Sequence, residues 1–84
     1  MFTNTQKPSF RLVKLDSYSG LGLAGATFRI ARIEDGSHYL DRVTDTRGEI
    51  NISDLEPGVY SVFEMDAPEG YVKDKREYHV ELFP

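Results

Sequence analysis

Cysteine is absent from this chain of 84 residues, so no disulfide staples the fold and no thiolate site can hold a metal. That suits a cytosolic protein, and equally an extracellular module stabilised by other means. Long apolar runs are missing as well. No stretch approaches the length of a membrane span, so this segment is not expected to insert in a membrane, and no signal-peptide pattern is present. Met1 reads as a start codon added to an excised module, which leaves the location of the parent protein open. Basic excess is lacking: 10 Lys and Arg stand against 14 Asp and Glu, for a formal charge of −4. The signs are interspersed, which argues against a nucleic-acid partner. The only 2 histidines, His38 and His79, are too few and too separated for a metal site. The acids around Glu34, Asp35 and Asp41 lack the spacing of a calcium loop. Neither a metal nor a cofactor is expected.

Helical spacing is also missing, as are internal repeats and low-complexity segments. What remains is a train of short alternating segments punctuated by turns, in a length that suits one small domain. Residues 1–8 are polar, end in Lys7-Pro8 and read as a linker or tag remnant; residues 9–84 read as the domain. Strands are predicted over Ser9–Asp16, Ala26–Ile33, Tyr39–Thr44, Glu49–Ile52, Val59–Met65 and Glu77–Phe83. Asp35-Gly36 is a hairpin signal between the second and third. Pro57-Gly58 launches the fifth, Ala67-Pro68 stops it, and Glu69-Gly70 supplies the next turn. Turn signals at this interval predict an all-β fold, an antiparallel β-sandwich of six to seven strands.

Alternation then assigns faces. Ala26, Phe28 and Ile30 form one core face, Ile50 and Ile52 another. Tyr60, Val62 and Glu64 share parity, so a carboxylate points toward the core. In the first strand two parities compete, Phe10, Leu12 and Lys14 against Arg11, Val13 and Leu15. With Phe10 and Leu12 inward, one lysine and one glutamate enter the interior from distant strands. A buried charge is too costly to leave alone. Lys14 and Glu64 therefore form an ion pair, or Lys14 extends its ammonium to the rim. A sharper alternative is that burial strips both of charge, leaving a nucleophilic amine beside a proton-carrying acid. Phe63, Met65 and Phe83 face outward, and Lys73, Lys75 and Arg76 read as a solvated loop.

These residues resemble a known family. Lys14-Leu15-Asp16, Leu23-Ala24-Gly25-Ala26-Thr27-Phe28, Thr44-Asp45-Thr46-Arg47-Gly48, Leu55-Glu56-Pro57-Gly58-Val59-Tyr60 and Glu64-Met65-Asp66-Ala67-Pro68-Glu69-Gly70-Tyr71 look like a Cna B-type domain. Such prealbumin-like (SpaA-type) modules occur in surface adhesins and pilins of Gram-positive bacteria. The resemblance runs from Phe10 to the end, with the motifs in the family's order. It implies an inverse immunoglobulin-like sandwich serving as a rigid spacer. Many members carry an autocatalytic Lys–Asn or Lys–Asp isopeptide bond. Lys14 matches the nucleophile and Glu64 the proton shuttle. The last strand, Tyr78-His79-Val80-Glu81-Leu82-Phe83-Pro84, has no Asn or Asp where the acceptor belongs. Asp41, with the parity of Tyr39 and Val43, is the one other internal acid to consider, Asn51 faces the wrong way, and an acceptor beyond Pro84 is the remaining alternative. A non-covalent Lys14–Glu64 pair is the expectation.

The resemblance implies a structural module of a cell-wall-anchored, extracellular protein, not an enzyme. As a monomer it would contact neighbouring modules of the same chain and hold an adhesive region away from the wall. The alternative is a binding module that grips a host protein or glycan through a sheet edge or loops. A transthyretin-like hydrolase would need a histidine-bearing active site, which two scattered histidines do not make.

Overall fold

The computed structural model describes residues 7–34 and 39–83. Its six strands are β1 (Phe10–Val13), β2 (Thr27–Arg32), β3 (Tyr39–Val43), β4 (Glu49–Ile52), β5 (Gly58–Asp66) and β6 (Glu77–Leu82). They form two antiparallel sheets, β1-β4 and β3-β2-β5-β6. The all-β sandwich read from the alternation is what forms. The Asp35-Gly36 hairpin signal and His38 lie outside the described residues.

The core is what period-two patterning selects. Ala26, Phe28, Ile30, Ile50, Ile52, Tyr60 and Val62 are buried, and Phe10, Leu12, Leu40, Leu55, Val80 and Leu82 pack against them half-covered. Removing each large apolar side chain from water favours the folded state by about 1.5–3 kcal/mol. β5 is flanked on both sides, by β2 and by β6, and it is the longest strand and the most continuously buried. Phe63 and Met65, on its outward face, are half-buried, and Phe83 is exposed.

One parity departs from the alternation. In β3 it is Leu40 that packs on the core, while Tyr39, Asp41 and Val43 face out. The register explains it. Ile30, an inward residue of β2, sits opposite Leu40, and outward Arg29 sits opposite Asp41. Val43 and Tyr39 gave β3 an apolar set on the wrong face, and pairing with the better-patterned β2 overrode it.

Two poles organise the molecule. At one, the Pro8 carbonyl accepts a hydrogen bond from the Leu55 N–H at 3.1 Å. Phe10 pairs with Ile52 and Leu82 with Gly58 at the same pole, so the chain enters and leaves there. At the other pole, the end of β1 crosses two loops. Lys14 N–H donates to the Gly48 carbonyl at 2.8 Å, and the Lys14 carbonyl accepts from Leu23 N–H at 2.9 Å. The crossing is tight. A Cβ on Gly22 would lie 1.9 Å from the Arg47 carbonyl oxygen, and one on Gly48 2.5 Å from that of Lys14. Only glycine lets three backbones meet there. Buried Thr44 stitches the same pole, accepting from Ala26 N–H at 3.0 Å and donating to the Leu23 carbonyl at 2.7 Å.

Candidate functional site

Lys14 and Glu64 meet between the sheets, under the loop pole. Glu64 stands on β5 opposite Phe28, and its side chain has no exposed surface. Its Oε1 accepts a hydrogen bond from the Asp74 N–H at 2.7 Å. Its Oε2 accepts none and lies 3.7 Å from Lys14 Nζ. That separation is beyond hydrogen-bond range, so the contact is coulombic. Lys14 extends inward from the glycine crossing just past the end of β1, with 22% of its side chain exposed. It reaches solvent through a cleft of about 440 Å³ between β1 and β6, lined by Leu12, Lys14, Phe28, Val62, Asp74 and Val80 among others.

The segment between β5 and β6 is strapped over the carboxylate. Asp74 gives its N–H to Glu64, and its own carboxylate accepts from Arg76 N–H at 2.9 Å, Arg76 Nε at 3.2 Å and Tyr78 O–H at 2.8 Å. Chiefly the Arg76 main-chain N–H, then the Arg76 guanidinium and the Tyr78 hydroxyl, hold that carboxyl well below the usual range. Further along the strap, Tyr71 O–H donates to Asp16 Oδ2 at 2.7 Å. Neither Asp74 nor Tyr71 emerged from the sequence as part of the site. The available signal was Asp74 placed two residues before Arg76 and four before Tyr78, the spacing of a local carboxylate turn.

Asp41 is not brought to this pair. It lies on the outer face of the four-stranded sheet, where Arg29 Nε and Nη2 donate to its two oxygens at 2.9 and 3.0 Å. The same guanidinium stacks 4.0 Å from the centre of the Tyr39 ring. Asn51 is exposed beside Arg11 on the outer side of the β1-β4 sheet. Asp74 shares the Lys14 cleft but makes a poor acyl acceptor. A carboxyl attacked by an amine must carry a proton to lose water, and this one is held ionised by three donors. His79 is on the surface with Nε2 3.0 Å from Glu77 Oε2. Chemically, the site amounts to a cation and a buried anion clamping one sheet to the other.

Comparison with known proteins agrees with this architecture. A search of the curated proteins finds no match. Among solved structures, a streptococcal ancillary pilin superposes with a TM-score of 0.79 at 23% identity, over 94% of this chain and 26% of that chain. The chain thus spans about a quarter of the pilin's length, and the likeness concerns the fold. The profile of the SpaA prealbumin-like fold domain matches residues 8–83, and with nearly the whole described chain covered, the protein belongs to that family.

Proposed function

We propose that this chain is a structural module of a cell-surface protein, a monomeric spacer that helps hold an adhesive region away from the cell wall. In this reading residues 9–84 are one domain, led into by a linker over 1–8, and the Lys14–Glu64 contact is a non-covalent clamp. The observation that carries the reading is the clamp itself. It links Lys14, the residue after β1 of one sheet, to β5 of the other. Membership of a family that includes surface modules supports it, as does the fold shared with a streptococcal pilin. The intact mass of the denatured chain is expected to equal that of the sequence. A mass lower by one ammonia or one water would reveal a cross-link and overturn the clamp.

A second reading, a module that binds a host protein, is favoured by one feature. Tyr18, Leu21 and Val72 are 100%, 70% and 90% exposed on loops at the pole away from the chain ends. Near-identical copies in the flanking gene sequence would support the spacer; a solitary copy would support the binder.

A further inference from the structure

We propose that β1 is a yielding strand, which load applied through the two ends of the domain peels away from β4 as far as Lys14 while the four-stranded sheet stays folded.

The chain enters beside Leu55 and leaves beside Gly58, at one pole. Tension between residues 7 and 83 therefore acts at the same end of β1 and of β6. Ladder bonds in antiparallel pairs run perpendicular to the strands, so this load opens them one after another. Tension along the strand axis would load them together. Of the two strands loaded, β1 is the weaker. It makes four register pairs with β4, Phe10 to Ile52 through Val13 to Glu49, against six between β6 and β5. Its sheet has only two strands, a unit marginal by itself, whereas β6 lies on a sheet of four. Resistance rises abruptly at Lys14. There the chain is fastened to Gly48 and Leu23 by main-chain hydrogen bonds and to Glu64 by charge, and Asp16 N–H is bonded to the Leu21 carbonyl at 2.8 Å. Regions of unequal local stability open separately in this way, and forced opening reads the rate of each step.

The test is single-molecule stretching. The chain has no cysteine, so Lys7→Cys with Phe83→Cys gives two unique attachment points. The expected record is a first, low-force step that frees about 20 Å of chain, the extended length of six residues, before the main rupture. A second pair, Lys7→Cys with Glu69→Cys, pulls along the strands and is expected to need several-fold more force for its first event. Leu12→Ala should lower the force of the short step in the first geometry, and Leu82→Ala should leave it unchanged. A single rupture of the whole chain, equal first forces in the two geometries, or sensitivity to Leu82→Ala in place of Leu12→Ala would each overturn the proposal.

Discussion

The four-stranded sheet carries an ion pair on each face, and the two differ in almost every respect. On the outer face Arg29 and Asp41 make two hydrogen bonds near 3 Å with matched geometry, reinforced by Tyr39. On the inner face Lys14 and Glu64 approach only to 3.7 Å and share no hydrogen bond. By geometry the outer pair wins; by burial the inner pair does. Water competes for Arg29 and Asp41 in both the folded and unfolded states, so their association stabilises less than its geometry alone would suggest. Glu64 has no such alternative once folded, and removing its counter-charge leaves a desolvated anion. Quality of contact and consequence of loss are therefore separate properties, set here by which face of one sheet a residue occupies.

Breaking the inner pair is the harshest test of that contrast. Lys14→Ala is expected to cost about 3 kcal/mol, the low end for an orphaned buried charge because the lysine itself is partly exposed. Urea unfolding measures it, and an unchanged midpoint would show that Glu64 does not depend on Lys14. Glu64→Gln comes next, at about 1–2 kcal/mol. It loses the charge but keeps an oxygen for the Asp74 N–H, and a loss as large as that of Lys14→Ala would contradict the burial account.

Acid sharpens the comparison further. The carboxyls of Asp74, Asp41, Asp16 and Asp45 are all depressed by hydrogen bonds in the folded state. A depressed carboxyl stabilises fully above its unfolded value of about 3.9 and loses that contribution as pH falls toward its folded value. The melting temperature is thus expected to fall between about pH 5 and pH 2, and Asp74→Asn should make that fall shallower. A slope unaltered in the variant would mean that the strap contributes nothing through its charge. The smallest effect belongs to Arg29→Ala. Its melt should fall only slightly at moderate salt, less than for any variant above, with the difference shrinking as salt rises. A clear, salt-independent loss would place the outer pair on the same footing as the inner one.

Much of this was legible in the residues, and the exceptions have a common cause. β2, β4 and β5 pattern cleanly because each has one strongly apolar parity, and Tyr60-Val62-Glu64 aims its carboxylate inward by spacing alone. β3 misled because its two faces are nearly balanced and its partner decides the matter. The strap was illegible for another reason. Asp74 acts through its main-chain N–H, which every non-proline residue has, and what places it over Glu64 is a set of hydrogen bonds with Arg76 and Tyr78 that no periodicity records. The role of Gly22 was hidden too, since the backbone it must admit, that of Arg47, comes from a distant turn.

The pairing of β1 with β4 also bears on the order of folding. The β2-β3 and β5-β6 pairs join consecutive strands. Two pairings are distant: Phe10 with Ile52, 42 positions apart, and Phe28 with Glu64, 36 apart. Closure entropy rises too slowly with length to separate them. Lys14 and Glu64 sit where the two distant pairings converge, between the β1-β4 and β2-β5 ladders. Their contact therefore closes only when both long loops have closed, and it marks completion of the fold.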